Sequence, residues 1–188
     1  MEEKQIIEHL KNGDEFIYKY VYDQYSRMVY SVCFRMNGNK EEAEDATQDV
    51  FIKVFNSINN FLEDSKLSTW IYRIAVNISI NKLRRKKVIN FFALDFREDE
   101  KGEKEMAVDN ITPETNLEKS EIQQIVQEAI NSLPAKQKTA IILSRYEELS
   151  YKEISKVMEL GVSAVESLIF RAKENLAKKL IHLKENYD

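Results

Sequence analysis

Cysteine and histidine are almost absent from this chain. Its 188 residues include one cysteine, Cys33, and two histidines, His9 and His182. A single cysteine cannot form an intrachain disulfide, and the two histidines stand too far apart in sequence to form a metal-ligand motif. No apolar run is long enough to span a membrane, and the acidic, polar N-terminal segment differs from a secretory signal. We therefore expect a cytoplasmic protein with no metal and no cofactor, in which Cys33 is a small core residue.

Glycine and proline are also scarce, at four and two residues. No segment shows the period-two alternation of apolar and polar residues that is typical of a strand, so we predict an all-α protein. Residues 1–90 and 122–188 show helical periodicity, whereas residues 91–121 are acidic and lose it. The sequence therefore predicts two small helical domains joined by a flexible acidic linker.

The first domain is expected to contain three main helices. The turn-forming segment Asn37–Asn39 should end the first helix, and a loop over Asn59–Leu67 should precede the third, which begins near Ser68. The apolar residues at helical spacing are Phe16, Tyr22, Tyr25, Val29, Val32, Cys33 and Met36 in the first helix and Ala43, Ala46, Val50, Val54 and Ile58 in the second. Each domain is shorter than 100 residues, so its core should be small and its stability modest.

Acidic residues outnumber basic ones, 32 to 28, for a net charge of −4. Basic residues nevertheless cluster at Lys82–Lys87 and between Arg171 and Lys184, while acids concentrate at Glu41–Asp45 and Asp95–Glu121. Contacts to phosphates supply most of the non-specific affinity of proteins for DNA. Such a chain should therefore bind DNA weakly by itself and well when a partner supplies positive charge.

Residues 149–180 are typical of two helices joined by a tight turn. Ser150 is suited to cap the first helix, Gly161 to supply a positive φ in the turn, and Ser163 to cap the second helix. The expected inward-facing residues are Ile154, Val157 and Met158 in the first helix and Val165, Leu168, Ile169, Ala172 and Leu176 in the second. Such a pair favours a helix-turn-helix, whose second helix enters the DNA major groove. An ordinary helical hairpin would give the same pattern.

One face of the third helix has an unusual composition. Its spacing of three and four residues aligns Trp70, Arg73, Asn77, Asn81 and Arg84. A buried face would be aliphatic and a solvated one rich in Glu and Lys. An aromatic ring among cations and amides suits single-stranded nucleic acid, because the ring stacks on a base while cations hold phosphates. The alternative is that the tryptophan simply belongs to the core. The basic run Arg84–Lys87 follows this face directly and is placed to bind the adjoining phosphate backbone.

The second helix carries an acidic stripe opposite its apolar face. Asp45 and Asp49 lie one helical turn apart, with Gln48 beside them. Most such stripes are merely solvated, but beside a nucleic-acid face this one could dock a basic protein surface. The sequence contains no glycine-rich phosphate loop, no metal-spaced cluster and no nucleophile with a nearby base, so we expect no catalytic activity.

Three segments, in this order, match the pattern of a known family. They are Ala43–Phe51 (AEDATQDVF), Ser68–Asn77 (STWIYRIAVN), and Leu133–Pro134 followed by the predicted helix-turn-helix. The chain resembles a bacterial RNA polymerase sigma factor of the extracytoplasmic-function (ECF) class. The resemblance covers nearly the whole chain apart from the linker.

This resemblance implies a promoter-specificity subunit that binds core RNA polymerase and directs transcription initiation. Region two of the family corresponds to residues 1–90, and region four to residues 122–188. The residues implied for docking on the β′ clamp helices of polymerase are Asp45, Gln48 and Asp49. The residues implied for the minus-ten element are Lys66, Trp70, Arg73, Asn77, Asn81, Arg84 and Arg85, where the loop before the tryptophan and the helix after it trap a flipped base. The residues implied for the minus-thirty-five element are Ser163, Ala164, Glu166, Ser167, Arg171 and Lys173. The implied partners are core polymerase through its β′ and β subunits, promoter DNA and an anti-sigma factor, with no small-molecule substrate.

One residue departs from the family pattern. Many members carry a cation near the start of the recognition helix, where this chain has Glu166. A carboxylate there cannot contact phosphate, but it can accept a hydrogen bond from the amino group of cytosine or face solvent. The promoter sequence therefore cannot be transferred from other members. The alternative function is a stand-alone helix-turn-helix regulator with an N-terminal sensor or dimerisation domain, which would leave the Trp70 face unexplained.

Overall fold

A computed structural model describes residues 1–95 and 125–185, and every regular element in these ranges is helical. The helices are α1 (Glu3–Lys11), α2 (Glu15–Asn37), α3 (Lys40–Ser57), a 3₁₀ turn (Ile58–Asn60), α4 (Leu67–Asp95), α5 (125–131), α6 (Ala135–Arg145), α7 (Tyr151–Met158) and α8 (Val162–Glu185). The prediction of an all-α protein is confirmed. Among these helices, none has the length and apolar character needed to cross a membrane.

The predicted break between the first two long helices is present. Gly38 ends α2 with a φ of 86°, a left-handed conformation that glycine adopts without steric cost. The Asn39 side chain then accepts a hydrogen bond from the backbone N–H of Glu42 and caps α3. Because only two residues, Gly38 and Asn39, separate the two helices, α2 and α3 fold back on each other.

Helices α2, α3 and α4 enclose the core of the first domain, with α1 packed on α2 and the 3₁₀ turn. The predicted inward residues of α3, from Ala43 to Ile58, are all buried. Two predicted apolar residues of α2 are instead exposed, Phe16 by 80% and Tyr22 by 45%. Ile17 and Val21 occupy the core instead. Neighbouring helical residues point about 100° apart, so Phe16 and Tyr22 are turned away from the face that Ile17 and Val21 occupy.

The third long helix begins at Leu67 and continues to Asp95. It therefore runs into the first residues of the predicted linker. The remainder of that linker, residues 96–121, lies outside the described residues.

The second domain contains the predicted helix-turn-helix, but its turn is built differently. Ser150 caps α7 in a capping box with Glu153, as predicted. The left-handed residue of the turn is Glu159, with a φ of 54°, rather than Gly161. Ser163 does not cap α8, because the helix already begins at Val162 and the carbonyl of Gly161 accepts its first hydrogen bonds. The chain reverses at the end of α7, so no positive φ is needed two residues later.

The two domains pack directly against each other, which the sequence did not predict. The ammonium group of Lys138 in α6 donates to the carbonyl oxygen of Met36 at 2.7 Å, near the C-terminal end of α2. The Glu147 carboxylate accepts hydrogen bonds from the hydroxyls of Ser31 (2.7 Å) and Tyr72 (2.9 Å). Burial, followed by the negative charge of Glu147, raises the pKa of Tyr72, so its hydroxyl stays protonated as the donor.

We expect Glu147→Ala to weaken this packing. The Tyr72 hydroxyl would lose its acceptor inside the interface, at a cost of about 1–3 kcal/mol. The measurement is the radius of gyration in solution scattering, which should increase. Glu174→Ala, which removes an exposed acid from α8, is the matched control. An unchanged radius in Glu147→Ala would contradict a role for this contact.

Candidate polymerase and nucleic-acid interfaces

The predicted nucleic-acid face of α4, defined by Trp70, Arg73, Asn77, Asn81 and Arg84, lies at the surface of the first domain. Trp70 is half-buried and packs at 5.0 Å between ring centroids against Phe61, at the start of the loop that precedes α4. The indole therefore belongs partly to the core and partly to the surface. This placement is compatible with both roles that the sequence allowed for the ring.

Arg73 is occupied by the second domain. Its guanidinium donates to the carbonyl oxygen of Lys156 at 3.2 Å and pairs with the Glu159 carboxylate at 3.1 Å. Both partners are in or next to α7, which packs across α4. The pKa of Glu153 in α7 is lowered, first by two hydrogen bonds from Ser150 and to a smaller extent by the positive charge of Lys66. Lys66 therefore also faces α7. In this arrangement, the second domain covers one edge of the nucleic-acid face.

The other edge of the face borders a groove between α3 and α4. Asn77, Asn81 and Arg85 are exposed there, opposite Asp49 and Ile52 of α3. The groove has a volume of about 510 Å³ and is open to solvent. It thus joins the predicted nucleic-acid face to the predicted docking helix. Arg84 instead borders a hollow that is partly lined by the second domain.

The acidic stripe on α3, formed by Asp45, Gln48 and Asp49, is exposed along its length. Asp49 pairs with Lys82 of α4 at 2.8 Å, and Glu42, two turns earlier in α3, pairs with Lys86, one turn further along α4. The basic run of α4 and the acidic helix are therefore neighbours. Both ion pairs are partly exposed, so they contribute little to stability and remain open to competition by a charged partner.

The recognition helix α8 presents its predicted contact residues to solvent. Residues 163, 164, 166, 167, 171 and 173 are all exposed, while Val165, Ile169 and Ala172 are buried against the rest of the domain. The Ser167 hydroxyl donates to the carbonyl oxygen of Ser163 within the helix. Glu166 has short side chains, those of Ser163 and Ser167, among its neighbours on this exposed face.

Phe170 is a surface residue of α8 outside the set of contact residues predicted from the sequence. It is 63% exposed and lies among Glu166, Ser167, Arg171 and Glu174. The sequence did hold a signal for this residue, because a large aromatic side chain stands there off the apolar face that Val165, Ile169 and Ala172 define.

Two protein-family models match this chain, one in each domain. The family "Sigma-70 region 2" matches residues 21–88, and "Sigma-70, region 4" matches residues 123–176. The ECF RNA polymerase sigma factor SigW of Bacillus subtilis is 34% identical over 179 residues, which cover 94% of this chain and 96% of SigW. The chain belongs to the ECF RNA polymerase sigma factors. The RNA polymerase sigma-H factor of Pseudomonas aeruginosa is 33% identical, covering 95% of this chain and 94% of that protein.

Two solved structures share the fold. CnrH, solved in complex with the cytosolic domain of CnrY, has a TM-score of 0.67 at 17% identity, covering 96% of this chain and 97% of that one. The sigma factor RpoE of Bartonella quintana, solved with the anti-sigma factor NepR, has a TM-score of 0.62 at 22% identity. That likeness covers 86% of this chain and 95% of RpoE.

As an ECF sigma factor, the protein binds core RNA polymerase and directs promoter-specific transcription initiation. A stand-alone regulator is not favoured, because the region 2 match covers the domain that such a regulator would use for sensing or dimerisation. In the described parts of this sigma factor, no cluster of three or more His, Cys, Asp or Glu side chains could hold a metal. Cys33 is fully buried, and burial raises its pKa, as expected for a core thiol.

Proposed function

We propose that the first domain both docks on polymerase and reads the minus-ten element, while the second domain reads the minus-thirty-five element. The observation that carries this proposal is the adjacency of two exposed surfaces in the region 2 domain: the acidic stripe of α3 and the nucleic-acid face of α4. The test is transcription reconstituted with bacterial core polymerase on a promoter library, with and without this protein. Promoter-specific transcripts should appear only when it is present.

The acidic stripe is the proposed contact with the β′ clamp helices. Asp45 and Gln48 are exposed, and Asp49 forms a partly exposed ion pair with Lys82. A basic partner surface could replace Lys82 at small cost, because exposed ion pairs are worth about 0.2–1 kcal/mol. Electrostatic complementarity of this kind favours rapid and specific association.

The loop over residues 61–66 and the face of α4 are the proposed reader of the minus-ten element. In this proposal, Trp70 stacks on an unpaired base or shapes the pocket that holds it. Asn77 and Asn81 contact base edges, and the cations bind phosphates. Opening about a dozen base pairs costs on the order of 15 kcal/mol, whereas each captured base returns about 1–3 kcal/mol. Polymerase must therefore contribute most of the opening free energy.

Reading both promoter elements requires the packed domains to separate. The two elements lie about 25 base pairs apart, or about 85 Å of duplex. A compact chain of this length has a radius of gyration of only about 16 Å. In addition, Arg73 is held by Glu159 and so cannot contact DNA while α7 lies across α4. Binding to polymerase is the step at which we place this separation.

We further propose an anti-sigma partner, a cytoplasmic location and no catalytic role. Of two proteins with a similar fold, the sigma factor RpoE was solved with the anti-sigma factor NepR, and CnrH was solved with the cytosolic domain of CnrY. The cytoplasm is where bacterial polymerase and promoter DNA are found. A pull-down with a candidate anti-sigma domain should lose this protein when core polymerase is added in excess, if both bind the same surfaces.

On α8, substitutions of Glu166 and of Arg171 should have different effects on promoter recognition. Glu166 lies in the first turns, which meet base edges in a helix-turn-helix, so Glu166→Ala should change the preferred base at one upstream position by about 1–3 kcal/mol. Arg171→Ala or Lys173→Ala should weaken all promoters alike and lower the salt dependence by about one unit per lost phosphate contact. The measurement is a library of upstream elements transcribed by each holoenzyme. If only Arg171→Ala changed the sequence preference, α8 would be docked in a different register.

A further inference from the structure

We infer that α1 positions the loop over residues 61–66, so that Lys11 and Glu3 are positioning residues for recognition of the minus-ten element. This inference rests on the proposed function of that loop and α4. It concerns a helix that makes no proposed contact with DNA itself. Lys11 and Glu3 stand at opposite ends of α1, about 12 Å apart along the helix axis.

The C-terminal end of α1 holds the middle of the loop. The Lys11 ammonium group pairs with the Glu63 carboxylate at 2.8 Å. Glu63 has a φ of 59°, a left-handed conformation that is unfavourable for a residue with a side chain. The two residues are 52 positions apart in sequence, so the pair is a tertiary contact. It gives the strained residue a partner outside the loop and fixes the direction of the chain there.

The N-terminal end of α1 holds the point where the loop enters α4. The Glu3 carboxylate accepts a hydrogen bond from the backbone N–H of Leu67 at 3.2 Å. Leu67 is the first residue of α4, so this N–H has no partner within the helix. A carboxylate at this end also interacts favourably with the helix dipole. Glu3 thus fixes the start of the helix that carries Trp70.

The helix is itself anchored well enough to act as a support. Ile7 and Leu10 are buried, and the Tyr18 hydroxyl of α2 donates to the carbonyl oxygen of Leu10. Just before the attachment point at Glu63, the loop keeps Phe61 buried against Trp70 and leaves Leu62 84% exposed. Hence α1 connects the core of the domain to the loop without covering the surface that would meet a base.

The test is a charge exchange read out as promoter specificity. Holoenzymes carrying Lys11→Glu, Glu63→Lys or both substitutions transcribe a promoter selected by the wild-type holoenzyme and its single-base minus-ten variants. The measured quantity is the ratio of transcription between the selected sequence and each variant. Lys4→Glu is the matched control, since Lys4 is an exposed residue of α1 with no ion pair among the described residues.

Each single substitution should lower the preference for the selected sequence over its variants by up to about fivefold, as expected for loss of an exposed ion pair. The double exchange should restore most of it, and Lys4→Glu should leave it unchanged. Melting temperatures should stay within about 4 °C of the wild type. A role in stability alone would reduce transcription from every minus-ten sequence equally and leave the ratio constant.

The inference is overturned if both single substitutions leave the ratio unchanged, or if the double exchange fails to restore it. Trp70→Ala separates this failure from failure of the proposed function. If Trp70→Ala impairs promoter opening while Lys11→Glu leaves the ratio intact, only the role of α1 is wrong. If neither substitution has an effect, the proposed reading of the minus-ten element is wrong as well.

Discussion

Replacing both Asp45 and Asp49 with arginine is expected to weaken binding to core polymerase by about thirtyfold or more, or about 2 kcal/mol. The substitutions turn the acidic stripe basic, so it would repel a basic partner surface. Both residues are exposed and point away from Val50 and Val54, so the core should not change. The measurement is the affinity of labelled sigma factor for core polymerase, together with a thermal melt.

The control must carry the same change in charge. The double substitution Glu8→Arg with Asp23→Arg replaces two exposed acids on α1 and α2 and changes the net charge by the same amount. This pair should bind polymerase nearly as well as the wild type at moderate ionic strength, where distant charges are screened. The lost contact between Asp49 and Lys82 should cost at most about 1 kcal/mol of stability, because it is partly exposed. The docking role would be refuted if the variant with both Asp45 and Asp49 replaced by arginine melts like the wild type and still binds polymerase with unaltered affinity.

Trp70→Ala is expected to impair promoter opening more than formation of the initial closed complex. The loss should be about 1–3 kcal/mol if the ring stacks on an exposed base or shapes its pocket. A template that is already unpaired around the minus-ten element should recover much of the activity, since the duplex need not be opened. Opening can be followed by the reactivity of unpaired thymines in the presence and absence of the substitution.

The contact between Trp70 and Phe61 makes a conservative variant necessary. Their ring centroids are 5.0 Å apart, so Trp70→Ala also removes packing inside the domain. Trp70→Phe keeps an aromatic ring against Phe61 and should retain more opening activity than Trp70→Ala. If Trp70→Ala unfolds the first domain, the ring is a core residue and the assigned role is wrong.

Local features of the sequence predicted the secondary structure well where one residue type decides the outcome. Gly38 ends α2 and Ser150 caps α7 as expected. The prediction failed at Gly161, because the left-handed residue is Glu159, a residue with no intrinsic preference for that conformation. It failed at Phe16 because an aromatic residue at helical spacing was assigned to the core face, which Ile17 and Val21 occupy.

The surfaces of the protein were predicted as sets of residues, but their surroundings were not. Asn77 and Asn81 are exposed on one side of α4, yet nothing in their spacing indicated the groove shared with α3. Asp49 was selected for its charge, while its partner Lys82 is brought to it only by the packing of α3 on α4. Charge and periodicity are properties of one helix, whereas a groove or an ion pair between helices depends on two.

The sequence by itself determined that this protein is helical, that it has two domains and that it belongs to the sigma factors, because periodicity, capping residues and motif order are local along the chain. Tertiary structure alone decided that α7 covers Arg73, that Lys138 contacts the end of α2, and that α1 reaches the loop before α4. Lys138 looks like any other lysine in sequence but is 4% exposed. The physical reason is that contacts between residues far apart in sequence arise from how helices pack, and many lysines and glutamates could have served equally well before packing selected one.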